Sequence, residues 1–255
     1  MKVAERAAGA AVCAILNGDD RGYDDNRGVA MSEWVKLRAG DGQELGAYVA
    51  RPAGEPVAGL VVVQEIFGVN AHIRRVADGW AQEGFLAVAP ALFDRIEPGV
   101  ELGYDGADMQ RAMTFIPKLD VDKALMDTAA AMKYAASATG KRVGVVGYCL
   151  GGTIAWLAAT RLHAAAAVGY YGGRIAQYVD EQLECPVMLH FGRQDAHIPP
   201  EEIAKVRHAH PQVEIYMYDA GHGFNCDARA SYNAEAAKEA RERSVEFLKR
   251  WVGEQ

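Results

Sequence analysis

Short apolar runs alternate with longer amphipathic segments through most of this 255-residue chain, and no other feature limits its fold as strongly. Residues 60–66, 85–89 and 142–148 are predicted to be core strands because they are mostly apolar and rich in β-branched side chains. Residues 71–83 and 121–136 carry apolar side chains at helical spacing. Alternating strands and helices form right-handed crossovers, which build a mostly parallel sheet with helices on both faces. We therefore predict an α/β fold.

The same alternation continues on both sides of this region. Further strands and helices are predicted at residues 153–161, 165–170, 187–191, 200–210, 213–218 and 232–251. A hairpin is expected around Gly40-Asp41-Gly42, where a turn separates two short strands at the edge of the fold. Residues 91–120 are the longest stretch predicted to be irregular. Long loops in compact α/β domains often cover an active site, so we expect a lid there.

The first 30 residues differ from the rest of the chain. Residues 7–16 are apolar and follow Lys2 and Arg6, which is a pattern typical of a signal peptide. Glu5 in the charged part and the acidic sequence at residues 18–20 speak against cleavage there. Residues 17–28 are polar and rich in turn-forming types. We predict a flexible extension at residues 1–30, followed by a single domain at residues 31–255.

Composition excludes several classes of function. Lys and Arg number 27 against 34 for Asp and Glu, a formal charge of −7, which argues against a nucleic-acid partner. No uncharged apolar run reaches the roughly 20 residues that a membrane-spanning helix needs. The four cysteines are scattered and form no C-x-x-C pair, so neither a disulfide framework nor a structural zinc site is expected. We expect a soluble cytoplasmic enzyme or binding domain.

The most informative motif is Gly147-Tyr148-Cys149-Leu150-Gly151, at the boundary between a predicted strand and a predicted helix. A nucleophile on such a tight turn projects from the carboxyl edge of the sheet, and small flanking residues let strand and helix approach closely. The helix N-terminus stabilises a thiolate, and the Leu150 N–H faces a developing oxyanion. The alternative is a buried cysteine in a glycine-rich turn.

A nucleophile of this kind needs a base and an acid that orients the base. Asp195 follows the strand predicted at residues 187–191, and His222 follows the strand predicted at residues 213–218. Each residue alone could be an ordinary loop residue. Three suitable residues in the chain order of the α/β-hydrolases, each after its own strand, favour a Cys149–His222–Asp195 triad. The remaining histidines form no predicted metal site.

The segments at residues 147–152, 192–195 and 221–224 together resemble the dienelactone hydrolase family of α/β-hydrolases. The resemblance extends from about residue 35 to residue 251 and implies an α/β-hydrolase fold. Gln64-Glu65-Ile66-Phe67-Gly68 matches another motif of that family. The resemblance implies that Glu65 contacts the resting cysteine and helps to activate it, and that the Ile66 N–H joins that of Leu150 in the oxyanion hole.

The resemblance also bears on substrate binding. Dienelactone enzymes hold a substrate carboxylate with two arginines, and Arg95 matches the first by its place after the strand at residues 85–89. The second lies a few residues past the catalytic histidine in those enzymes, whereas Arg229 is displaced further along this chain. The resemblance therefore supports the fold and chemistry of the family more strongly than it supports dienelactone as the substrate. Phe67 and Tyr171 are expected to line the substrate pocket.

The expected activity is hydrolysis of a small carboxylic ester or lactone through a thioester acyl-enzyme. No metal or organic cofactor is expected, and the chain is expected to be a monomer or a homodimer. Three alternatives stay open: hydrolysis of other acyl bonds, acyl transfer to a second nucleophile, and a non-catalytic binding or sensor module. The role of Cys226, four residues after His222, is left open.

Overall fold

The computed structural model describes residues 29–253. Its strands are β1 (Val29–Arg38), β2 (Glu44–Pro52), β3 (Ala58–Val63), β4 (Phe85–Pro90), β5 (Val143–Tyr148), β6 (Ala167–Tyr170), β7 (Val187–Gly192) and β8 (Glu214–Tyr218). Its helices are α1 (Ala71–Gln82), α2 (Gly106–Phe115), α3 (Val121–Thr139), α4 (Leu150–Arg161), α5 (Pro200–Ala209) and α6 (Ala234–Val252). Three short 3₁₀ helices are Leu92–Arg95, Ile116–Lys118 and Ile175–Gln177.

The strands form one eight-stranded sheet in the order β1-β2-β4-β3-β5-β6-β7-β8. β2 pairs antiparallel with both β1 and β4, and all pairs from β4 to β8 are parallel. β3, β4 and β5 are buried along their whole length, as expected for parallel strands covered on both faces. Parallel strands present their carboxyl ends at one edge, where ligands bind in open α/β sheets.

Helices cover both faces of the sheet. A side chain added at Gly59 of β3 would meet Ala135 of α3, at 2.9 Å. One added at Gly144 of β5 would meet Leu248 of α6, at 3.1 Å. Gly144 pairs with the residue after Gly59, and successive strand residues point to opposite faces, so α3 and α6 lie on opposite sides. This confirms the predicted mostly parallel α/β fold.

The prediction that residues 91–120 are irregular is wrong. This segment contains α2 and two of the 3₁₀ helices, and Asp105 caps α2 by accepting the N–H of Asp108. The rings of Phe93 and Phe115 stack with centroids 4.9 Å apart. A small apolar cluster, separate from the main core, unites this segment with Phe67. The segment is therefore packed and partly helical. Sequence periodicity missed α2 because the helix has only ten residues and buries only Ala112 and Phe115.

The predicted extension at residues 1–30 lies outside the described residues, apart from the first two residues of β1. The placement of the domain boundary near residue 31 stays a prediction. None of the helices in the described part of the chain is both long and apolar enough to cross a membrane.

Candidate active site

Cys149 lies between β5 and α4 in a conformation that few non-glycine residues adopt, with φ 53° and ψ −114°. Gly147 and Gly151 make this turn possible. A Cβ at Gly147 would lie 1.8 Å from the carbonyl oxygen of Gly151, and a Cβ at Gly151 would lie 2.3 Å from that of Val63. The turn thus brings the start of α4 against the end of β3 and presents the Cys149 thiol at the carboxyl edge of the sheet.

Loops after two further strands bring Asp195 and His222 to the same edge. The Nδ1 of His222 lies 2.8 Å from Oδ2 of Asp195, and its Nε2 lies 3.1 Å from the Cys149 sulfur. Asp195 Oδ1 also accepts the backbone N–H of His197 at 2.8 Å. The structure therefore joins the three residues that the sequence singled out in one chain of hydrogen bonds, with both imidazole nitrogens engaged.

The hydrogen-bond chain changes the acidity of its members. Burial alone would lower the pKa of His222, but its hydrogen bonds to Asp195 and Cys149 outweigh burial and raise that pKa to about 10. Burial opposes the charge on Asp195, yet the hydrogen bond from His222 lowers the pKa of that carboxyl below its ordinary value. The site therefore favours a protonated imidazole between two acidic groups.

Two backbone N–H groups are available beside the thiol. Leu150 is the first residue of α4, so its N–H has no acceptor within the helix. Ile66 follows β3, and a Cβ at Gly151 would also lie 2.7 Å from the carbonyl oxygen of Gln64. The side chains of Ile66 and Leu150 pack against the same small apolar cluster. Leu150 therefore follows Cys149 directly, Ile66 lies just beyond the strand end that Gly151 contacts, and their role in the oxyanion hole stays a prediction.

Glu65 is completely buried beside this site. Its Oε2 accepts the hydroxyl of Tyr104 at 3.0 Å, and its Oε1 has no hydrogen-bond partner among the described residues. The Cys149 thiol instead contacts His222. Burial and the charge of Glu65 raise the pKa of the neighbouring Cys226 thiol to about 11. Among the described residues no hydrogen bond joins Glu65 to Cys149, and the predicted role of Glu65 at the resting nucleophile stays a prediction.

The structure corrects the expectation for Arg95. Its guanidinium bonds both carboxylate oxygens of Asp127 at 2.8 Å and Asp41 Oδ2 at 2.7 Å. Asp127 lies in α3 and is completely buried, so burial raises its pKa, while Arg95 opposes this effect. A buried carboxylate needs a charged partner, and Arg95 is engaged as that partner instead of facing the thiol. Sequence position after β4 could not reveal these two acids.

Arg229 lies at the site although its sequence position is displaced. Its Nη1 is 3.8 Å from Glu65 Oε1, and its guanidinium carbon lies 5.8 Å from the ring centre of Phe67. The side chain passes so close to Gly223 that a Cβ there would lie 2.5 Å from Nη1. Because Gly223, next to His222, has no side chain, Arg229 can reach the site. The displacement of Arg229 along the sequence therefore does not keep its guanidinium away from Glu65 and Phe67.

Aromatic rings flank the thiol and the imidazole. Tyr171 is completely buried, and its ring lies 5.1 Å from that of His222. Phe67 is also buried and packs on Tyr104 with centroids 4.5 Å apart. Tyr104 was not predicted as a site residue, because it lies in the segment that was expected to be irregular.

Comparison with known proteins agrees with this geometry. Residues 45–252 match the sequence model of the dienelactone hydrolase family. The chain belongs to the dienelactone hydrolase family. A carboxymethylenebutenolidase of Pseudomonas putida is 34% identical to it over 227 residues, which cover 86% of this chain and 96% of the relative. Carboxymethylenebutenolidase 1 of Cupriavidus pinatubonensis is 30% identical, covering 86% and 97%.

Solved structures extend the likeness of this dienelactone hydrolase family member to three dimensions. The crystal structure of a candidate dienelactone hydrolase from Klebsiella pneumoniae superimposes with a TM-score of 0.73 and 32% identity, covering 87% of this chain and 98% of that one. This chain is therefore a hydrolase acting on ester or lactone bonds.

Proposed function

We propose that Cys149, His222 and Asp195 are the catalytic triad of this hydrolase. The observation that carries the proposal is the continuous contact from Asp195 through His222 to Cys149, at 2.8 Å and 3.1 Å. The Cys149 thiolate attacks the carbonyl carbon of the substrate, and the imidazolium of His222 protonates the departing alkoxide. Water, deprotonated by His222, then attacks the thioester and releases the acid.

Backbone dipoles stabilise the charge that develops in this reaction. The N–H groups of Leu150 and Ile66 donate to the carbonyl oxygen as it becomes an oxyanion. The location of Leu150 at the N-terminus of α4 supports this role, because that terminus carries partial positive charge. No step needs a metal or organic cofactor. When substrate displaces the partners of Glu65, this carboxylate or His222 accepts the proton of the Cys149 thiol, which leaves the thiolate.

The preferred substrate is a small lactone or ester that carries a carboxylate. Arg229 supports this assignment, because its guanidinium lies beside the site and its ion pair with Glu65, at 3.8 Å, is longer than a hydrogen bond. Phe67 and Tyr171 form apolar walls on either side of the reacting carbonyl group. Arg95 takes no part in binding, because its donors are directed at Asp41 and Asp127.

The test compares dienelactone, which is anionic, with neutral p-nitrophenyl acetate. Cys149→Ala is expected to abolish turnover of both esters. Arg229→Met is expected to raise KM for dienelactone by about 10- to 100-fold, the value of a charged hydrogen bond, and to leave the neutral ester within about threefold. Arg95→Lys is the matched control, and it is expected to change KM for neither ester.

Other outcomes would revise this proposal. Equal losses on both substrates in Arg229→Met would mean that Arg229 supports the site rather than the substrate. If Arg95→Lys raised KM for dienelactone alone, Arg95 would hold the substrate carboxylate, as the resemblance implied. Full activity of Cys149→Ala would refute the triad.

The net charge of the chain bears on the setting of this activity. A net charge of −7 supports small-molecule substrates over nucleic acid. We propose that the enzyme works in the cytoplasm, as a monomer or a homodimer, without a nucleic-acid or membrane partner.

A further inference from the structure

A second cluster of ionisable side chains lies beside the triad. It consists of Glu65, His72 near the start of α1, and Cys226 in the loop that follows His222. All three side chains are buried, with exposures of 0%, 4% and 0%. Each offers one donor atom, and these atoms lie within 4.8 Å of one another. The cluster therefore unites a carboxylate, an imidazole and a thiol in a space closed to solvent.

The hydrogen bond on one side of His72 determines what its other side offers. Nδ1 lies 3.1 Å from Asp227 Oδ1, and the same carboxylate oxygen accepts Nη2 of Arg75 at 2.9 Å. An imidazole that donates Nδ1–H to a carboxylate has its lone pair on Nε2. Carboxylate partners of this kind orient most metal-bound histidines in proteins.

Two atoms of the cluster lack a hydrogen bond among the described residues. Nε2 of His72 and Oε1 of Glu65 are both buried and form no hydrogen bond with any described residue. A buried polar atom without a partner destabilises the fold by about 1–3 kcal/mol. A single cation between them would satisfy both atoms.

We propose that Glu65, His72 and Cys226 bind a zinc ion. Thiolate, imidazole and carboxylate together select zinc or a similar transition ion over Mg²⁺ and Ca²⁺, which prefer oxygen ligands alone. Bond lengths of about 2.0–2.3 Å in a tetrahedron place the donor atoms roughly 3.3–3.8 Å apart, so small side-chain rotations suffice. The thiol proton of Cys226 is released on binding and leaves as the ion enters, and a water molecule that enters with the ion would fill the fourth position.

The surrounding charges set the strength of this site. The carboxylate of Glu65 and the thiolate of Cys226 balance the charge of the ion, and Asp227 adds a negative charge behind His72. Arg229 opposes binding, because its Nη1 lies 3.8 Å from Glu65 Oε1. The Tyr104 hydroxyl remains on the other oxygen of Glu65. Arg229→Met is therefore expected to strengthen zinc binding.

Zinc would also act on the hydrolase. A zinc ion bound to Glu65 repels a proton from this carboxylate, so the zinc-loaded enzyme is expected to activate Cys149 less well. This consequence rests on the proposed function of Glu65, whereas binding of the ion does not.

Cobalt titration of the full-length chain tests the site without any assay of activity. The protein used is the triple variant Cys13→Ser, Cys149→Ala, Cys185→Ser, whose sole thiol is Cys226. One equivalent of Co²⁺ is expected to produce a thiolate-to-metal charge-transfer band, and Zn²⁺ is expected to remove it. Since Cys149 is absent, the result is independent of the triad and of turnover.

Variants of the ligands identify the site. Adding Cys226→Ser or His72→Gln is expected to abolish the band, and Asp227→Asn is expected to weaken Co²⁺ binding by about 10- to 100-fold. Circular dichroism of each variant establishes that it is folded. Absence of a band in the triple variant, or a band in the wild-type chain that requires Cys149 but not Cys226, would overturn the proposal.

Discussion

Asp195 determines the state of His222 at the scale of single residues. Its carboxylate lies 2.8 Å from Nδ1, which fixes the ring orientation and directs Nε2 at the thiol. The same negative charge favours the imidazolium form, which must protonate the leaving alkoxide. The Asp195 side chain therefore supplies both orientation and charge. Asn has the same shape without the charge, so the Asn variant separates the two effects.

Replacement of Asp195 by Asn is expected to shift the alkaline limb of activity. The pKa of His222, raised to about 10, means that the imidazolium is present below that pH and lost above it. Without the carboxylate the pKa falls, so the decline of kcat/KM begins at a lower pH. The maximal rate is expected to fall about a thousandfold or more. The pH profile for p-nitrophenyl acetate measures both effects, and an unmoved limb would mean that Asp195 does not control His222.

It was easier to predict which residues form the site than to predict where their side chains point. Chain order and the preceding strands single out Cys149, His222 and Asp195. The sequence therefore predicts that these three residues lie at one edge of the sheet. Arg95 and Arg229 show the limit of this reasoning. Two acids that are distant in sequence turn Arg95 away from the thiol, and Gly223 gives Arg229 room to approach. Such contacts depend on packing that spacing does not encode.

The strand–turn–helix unit of β5, Cys149 and α4 depends on close backbone contact with β3. Most strands and helices were predictable, because apolar periodicity reports burial directly. The start of α4 was not, since its first residues, Leu150-Gly151-Gly152, read as a loop and not as a helix. The glycines there are required by contact across the sheet edge and not by local preference.

Gly151→Ala is expected to destabilise this unit. The new methyl group would lie 2.3 Å from Val63 O and 2.7 Å from Gln64 O, so α4 must move away from β3. We expect a loss of about 1–3 kcal/mol in the free energy of unfolding and a lower kcat, because Leu150 moves with the helix. Urea unfolding measures the first effect.

Gly54→Ala is the matched control for this substitution. Gly54 lies between β2 and β3, and nothing lies within 4 Å of an added Cβ. Its free energy of unfolding is expected to change by less than about 1 kcal/mol. Equal stability of the two variants would contradict the close contact at Gly151.

For the whole molecule, the core contains a histidine that resists protonation. His190 in β7 is completely buried, with Nδ1 2.9 Å from the Tyr218 hydroxyl and Nε2 2.9 Å from the Ser244 hydroxyl. Burial, with a smaller effect of the Arg243 charge, lowers the pKa of His190 to about 3. The unfolded chain therefore binds a proton between about pH 6.5 and pH 3 that the folded chain does not.

Stability is accordingly expected to fall with pH across this window. The free energy of unfolding decreases by up to about 1.4 kcal/mol per pH unit as pH drops below 6.5. His190→Gln is expected to be less stable at neutral pH and to lose this part of the slope. The exposed His208, changed to Gln, serves as the control. Urea unfolding at several pH values measures how the free energy of unfolding depends on pH in the wild type and both variants. Equal pH dependence in all three proteins would mean that His190 is not responsible.

The most direct test of the account is to capture the acyl-enzyme. Wild-type protein is mixed with p-nitrophenyl acetate, quenched in acid and digested, and the peptides are analysed by mass spectrometry. The account predicts an acetyl thioester on the peptide that contains Cys149, absent from Cys149→Ala. An acetyl group on a different residue that turns over at the catalytic rate would contradict the assignment of Cys149 as the nucleophile.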